Sequence, residues 1–121
     1  MSMMWQTEEQ RGRACRALLA TLGLAHYWGD GRPSDDAVAV LEKRGPGLSH
    51  GERLLVLVAW DLWNSGGNTP LGELLDVLDP ERTRALLGLI SAANSENYGP
   101  AIDAWITALE RRHGLGLRAI Q

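Results

Sequence analysis

The sequence predicts an all-α fold, a compact bundle of about six helices, from three observations. Leucine (20) and alanine (14) far outnumber valine, isoleucine and threonine combined (14), a balance that favours helix over strand. Apolar residues recur at helical spacing instead of alternating. Short polar capping residues, prolines and glycines punctuate the periodic stretches.

The first helix is expected over 7–28. Thr7-Glu8-Glu9-Gln10 fits a capping box, in which the Thr hydroxyl and the Gln amide satisfy free backbone donors. Cys15, Leu18, Leu19, Leu22, Ala25 and His26 then form one stripe, with Arg11, Arg13 and Arg16 largely off it. Gly12 and Gly23 are its weak points. Asp30-Gly31-Arg32-Pro33 is a turn, and Ser34 caps a second helix over 34–44 that Gly45-Pro46 stops. Asp35 and Asp36 suit its positive end, Lys43 and Arg44 its negative end.

Ser49-His50-Gly51-Glu52 is a second capping box, opening a third helix over 50–64. From Leu54 to Trp63 every residue but Asp61 is apolar, so this helix is expected at the centre of the bundle. After the Ser65-Gly66-Gly67-Asn68 turn, Thr69-Pro70 reads as a cap followed by proline at the first helical position. The fourth helix, 70–78, turns Leu71, Leu74, Leu75 and Leu78 inward. Asp79-Pro80 repeats the device for the fifth, 80–93, with Leu86, Leu89, Ile90 and Ala93 inward. Pro100 starts the sixth, 100–113, with Ile102, Trp105, Ile106 and Leu109 inward. Arg111, Arg112 and His113 complement the dipole at its end, and Gly114 stops it. The links are short enough to favour antiparallel neighbours. One domain, 1–121, is expected, with 1–6 and 114–121 as loose termini; Leu115 to Gln121 carries three large apolar residues.

Bulk properties narrow the function classes. A net charge of −3 argues against a general nucleic-acid binder, whose phosphate contacts leave a basic footprint. The longest apolar run, Leu54 to Trp60, has seven residues, far short of the ~20 a membrane span needs. The first residues lack the pattern of a secretory signal, and one cysteine excludes an intrachain disulfide and every multi-cysteine metal site. A cytoplasmic setting is therefore expected. Eleven arginines to one lysine, with abundant Ala, Gly and Leu, point to a GC-rich bacterial genome or one of its phages.

No enzyme motif stands out, and no metal or cofactor is implied. His26, His50 and His113 lie too far apart for a helical metal pair, and His50-Gly51-Glu52 lacks the later cysteine pair of zinc deaminases. Cys15 sits on the inward stripe of its helix as a small hydrophobe. Lys43 does not follow phosphate-loop glycine spacing. Residues 69–90 form two helices joined by a tight turn, which invites a DNA-reading helix-turn-helix with Arg82 and Arg84 near the second helix start. The neighbouring Asp76, Asp79 and Glu81 weigh against it, and an ordinary helical corner is the simpler reading. Asp61 reads either as part of an exposed strip or as a buried carboxylate paired with arginine.

Five tryptophans and no phenylalanine form the clearest functional lead. Trp60, Trp63 and Trp105 take core positions, each buried indole needing an acceptor. Trp5 precedes the first cap, and three large rings in a row at His26, Tyr27 and Trp28 cannot all point inward from one helix. With Asp30 and Arg32 beside them, these residues form the candidate partner-binding set: Trp5, His26, Tyr27, Trp28, Asp30 and Arg32. The expected function is a small protein–protein interaction module (adaptor, inhibitor or assembly subunit) without catalytic activity, with self-association left open. Alternatives are the DNA-binding corner, a small-molecule pocket near Asp61, Trp60 and His26, and a death-fold-like interaction domain. The last rests on helix count alone, with no sequence motif behind it.

Overall fold

Four short polar side chains start four helices. The computed structural model describes residues 5–44 and 47–115, and its elements are α1 (Glu8–Ala20), a 3₁₀ turn (Ala25–Trp28), α2 (Asp35–Leu41), α3 (His50–Asn64), α4 (Leu71–Val77), α5 (Pro80–Ala93) and α6 (Tyr98–Arg112). Thr7, Ser34, Ser49 and Asp79 each accept the backbone N–H three residues on, at 3.0, 3.3, 3.1 and 2.9 Å. This satisfies one of the four free donors that open every helix. The Ser49–Glu52 box is complete, since the Glu52 carboxylate accepts the Ser49 N–H at 2.8 Å. At α1 the Gln10 side chain reaches one residue further back, to the Gln6 N–H at 2.9 Å.

The architecture is all-α, with six α-helices and no strand among the described residues. None of these helices is long and apolar enough to cross a membrane. Several boundaries differ from expectation. Expected over 7–28, the first helix stops at Ala20, because Gly23 adopts φ +73°, a left-handed conformation that ends a helix. Residues 25–28 form the separate 3₁₀ turn. The second helix ends at Leu41, where Lys43 itself takes the left-handed position at φ +63°; Gly45 and Pro46 lie outside the described residues. Pro70 is the N-cap of α4 instead of its first residue, and α6 begins at Tyr98. Pro100 thus falls in the first turn of α6, where a missing N–H leaves no bond unmade. Trp5, Gln6 and Leu115 are tied down by hydrogen bonds, the last through its N–H to the Glu110 carbonyl at 2.7 Å. Residues 1–4 and 116–121 of the expected loose termini lie outside the described residues.

The central helix is α1, not α3. It packs against the 3₁₀ turn, α3 and α6, and Ala14, Cys15, Ala17, Leu18 and Leu19 are wholly buried. Small residues let its neighbours approach from three sides, whereas α3 leaves Leu57, Val58, Leu62 and Trp63 half-buried. Arginines obscured this in the sequence, because their stems run along α1 while their heads reach other elements. Arg13 lies alongside α6, donating to both Glu110 oxygens at 3.0 and 2.7 Å and to Asp103 at 3.2 Å. These bonds hold the Arg13 pKa above its ordinary value, the Glu110 hydrogen bond being the largest cause and burial opposing it. Ile102, Ile106 and Leu109 of α6 are buried as expected; Trp105 is half-buried, its indole donating to the Ala85 carbonyl at 2.9 Å.

Gly12 is where backbone meets backbone. A Cβ there would stand 2.1 Å from the Gly31 carbonyl oxygen, so the 30–33 turn lies directly on α1. Gly72, also helical, faces open space. Gly12→Ala is expected to lower unfolding stability in urea by about 2–4 kcal/mol, since neither backbone can yield. Gly72→Ala should instead raise it by up to about 1 kcal/mol through helix propensity. Equal midpoints for Gly12→Ala and wild type would remove the close approach.

Candidate functional site

Two of the rings expected to face a partner are core residues. The 3₁₀ turn rotates Trp28 (0% exposed) and Tyr27 (3%) under α1, leaving His26 outside. Trp28 meets Trp60 edge-on with centroids 5.3 Å apart, and Trp63 at 6.3 Å. Having no Cβ at Gly12 lets this segment come close enough to α1 for that insertion. Tyr27 and Trp28 therefore leave the partner-binding set. His26, Asp30 and Arg32 remain exposed around the turn.

Trp5 is half-buried and has a structural task. Its indole donates to the Leu62 carbonyl at 3.1 Å, and the Arg11 guanidinium donates to the Trp63 carbonyl at 2.7 Å. Both acceptors belong to the last turn of α3, whose carbonyls have no partners within the helix. The guanidinium also lies over the Trp63 ring, 4.1 Å from its centroid, an attraction between cation and ring quadrupole. An open cleft of about 410 Å³ lies beside this junction, lined by Trp5, Glu8, Arg11, Trp63 and Ser65 among others. Its charged groups already serve each other, since Arg11 also pairs with Glu8 at 3.2 Å.

Asp61 is neither an exposed strip residue nor an arginine partner. Its carboxylate accepts the Asn68 backbone N–H at 2.7 Å, the Asn68 side-chain amide at 3.2 Å and the Thr69 N–H at 2.8 Å. It thereby fixes the loop that leads into α4. Partial burial pushes its pKa up, but the hydrogen bonds from Thr69 and Asn68 outweigh this and hold it below the usual carboxylate range. Trp60 is buried, its indole donating to the Ala37 carbonyl at 2.8 Å, and His26 is exposed. Asp61 thus holds a loop and Trp60 joins α3 to α2, while His26 stands exposed on the 3₁₀ turn.

Arg82 is committed as well. It pairs with Asp79 and donates to the Thr21 carbonyl at 2.7 Å, closing the end of α1, and only 18% of its side chain is exposed. Of the two arginines in the DNA-reading alternative, only Arg84 is exposed. Cys15 is buried and its thiol donates to the Ala59 carbonyl at 3.3 Å; burial pushes its pKa up to about 12. Among the described residues no cluster of His, Cys, Asp or Glu could hold a metal ion.

The surface that sequence reasoning missed lies on α4 and α5. Of the leucines expected inward on α4, Leu74 is buried, whereas Leu71 and Leu75 are 65% and 64% exposed. On α5, Leu89 is buried, but Ile90, also expected inward, is 57% exposed and Leu87 58%. The reason is coverage. The seven-residue α4 packs mainly on α3, and α5 mainly on α6, so each buries a narrower arc than its apolar residues span. The signal was present in the sequence as a surplus: Leu86, Leu87, Leu89 and Ile90 span more than one inward face. No protein-family model, curated protein or solved structure matches the chain.

Two measurements check these placements. Because Asp61 has a depressed folded pKa, its contribution is present above the unfolded value of about 3.9 and is lost as pH falls through the folded one. Asp61→Asn should cost about 1–2 kcal/mol at pH 6, and its gap from wild type should narrow by pH 3 in denaturant titrations. An equal gap at both pH values would contradict this. Cys15 should resist a disulfide exchange reagent at pH 8 in the native state and react fully in denaturant. Rapid native labelling would mean an accessible thiol.

Proposed function

We infer that this protein is a helical interaction module that binds another protein chain through the apolar faces of α4 and α5. The observation that supports the reading is the exposure of Leu71, Leu75, Leu87 and Ile90, each more than half open to solvent. Single exposed leucines are ordinary, whereas neighbouring exposed apolar side chains favour an interaction site, and each of these helices presents such a pair. Leu71 and Leu75 are four apart and Leu87 and Ile90 three apart, so each pair lies along one helical face. This moves the binding surface from the 26–32 turn, two of whose rings are buried, to the next helical corner.

The module does no chemistry in this reading. Its cysteine is buried, the partly buried Asp61 and Asp79 hold a loop and cap α5, and the heads of Arg11 and Arg82 close helix ends. Site-specific photo-crosslinkers incorporated in cells of the native source test it. Discrete adducts are expected at positions 71, 75, 87 and 90 and none at exposed Arg111. Adducts confined to His26 and Arg32 would return the surface to the turn, and an absence of adducts at all four positions would overturn the reading.

A further inference from the structure

We propose that the groove between α5 and α6 binds a small ligand made of one flat ring and one acidic group, a carboxylate or a phosphate ester. The inference goes beyond the interaction reading and does not rest on it.

The groove is a cavity of about 200 Å³ where α5 and α6 pack on each other. Trp105, Leu109 and Arg112 line it from one face of α6, and Glu81, Arg84 and Ala85 from one face of α5. Ala85 and Leu109 are buried, and Trp105 is half-buried. The indole is fixed at two points. Its N–H donates to the Ala85 carbonyl at 2.9 Å, and its edge lies against Gly88, where a Cβ would stand 3.1 Å from Trp105 Cδ1. A ring already held in place offers a flat surface without the ordering cost that a free side chain incurs on binding.

Charge separates this cavity from two others. In the cleft beside Trp5, Arg11 and Glu8 pair with each other. In the hollow lined by α3 and α4, Asp79 and Arg82 pair, and Glu52 caps α3. Arg84 and Arg112 enter the α5–α6 groove from its two helices, and neither has an ion-pair partner among the described residues. Among those residues Glu81 is the one acid on the wall, and it already lies 3.5 Å from Arg82. Two uncommitted positive groups thus outnumber one shared negative group, and the balance favours an anion. Guanidiniums present forked donors that fit carboxylate and phosphate oxygens in pairs.

Size narrows the ligand further. Pockets for drug-sized ligands run to roughly 300–1,000 Å³, so a groove of about 200 Å³ holds a fragment. One ring on the Trp105 surface, with its acidic group between Arg84 and Arg112, uses every feature of the groove. A nucleotide exceeds the space, and a bare inorganic anion leaves the indole unused.

Two-dimensional proton–nitrogen NMR titrations of the purified full chain test this, with benzoate and phenyl phosphate as probes at fixed ionic strength. The expected result is saturable binding with a Kd of about 1 mM for the better probe. The largest shifts should fall on the Trp105 indole N–H and the amides around Arg84 and Arg112. The tighter probe assigns the acidic group as carboxylate or phosphate. Arg84→Gln and Arg112→Gln, both at exposed positions, should each weaken binding about tenfold with an unchanged helical circular dichroism spectrum. Benzamide binding as tightly as benzoate overturns the proposal, because the acidic group would then contribute nothing. Inorganic phosphate matching phenyl phosphate overturns it on the side of the ring. Binding indifferent to both arginine variants, or no saturable shift at these residues up to about 20 mM of either probe, overturns it as well.

Discussion

The backbone of Gly12 meets that of Gly31 with no room for a methyl group between them, and the interior is arranged around that approach. It lets the segment after α1 double back tightly enough to carry Trp28 beneath the helix. Trp28 then fills the space between Leu18 and Leu19 of α1 and the aromatic face of α3, against Trp60 and Trp63. Its indole N–H has no partner among the described residues, a cost of about 1–3 kcal/mol for a buried donor. Full burial of so large a ring and its edge-on contacts offset that cost. A chain with phenylalanine at this position would avoid the unpaired donor. Elsewhere the indole has a use that phenylalanine cannot serve. Trp5, Trp60 and Trp105 each donate to a backbone carbonyl on another helix, joining the N-terminal segment to α3, α3 to α2 and α6 to α5.

The features legible in the sequence are those whose partners lie within four residues. Thr7, Ser34, Ser49 and Asp79 cap helices by a bond to the residue three places on, and spacing alone identifies them. Gly23 breaks its helix for an equally local reason. Features that depend on distant residues were hidden. In the sequence Arg11 lies off the inward stripe of its helix and Arg82 sits at a helical corner, yet each closes the end of a helix more than fifty residues away. Asp61 looked like a lone acid in an apolar run because its partners are the amides of a loop, and backbone amides carry no sequence signal. The centrality of α1 was masked by Arg11, Arg13 and Arg16, which make a buried helix look amphipathic.

The candidate surface was obscured by a related limit. Helical periodicity reports which residues share a face but not how much of that face the rest of the chain can cover. Leu71, Leu74 and Leu75 belong to one stripe, and the structure buries only the middle one. The rings at 26–28 show the converse error. Three consecutive large residues cannot all be buried from one α-helix, but a 3₁₀ turn has a different periodicity and two of them go inside.

The helix that carries half of the proposed contact is also the least anchored. A seven-residue helix is far too short to persist by its own hydrogen bonds, and α4 owes its place to few contacts. Leu74 is its one buried side chain, the Asp61 carboxylate holds the loop before it, and the Asp79–Arg82 pair fixes the residues just after it. A chain docked on Leu71 and Leu75 would therefore do more than remove apolar surface from water. It would supply α4 with the second packing face that the remainder of the molecule leaves open, coupling association to the order of the helix that makes the contact.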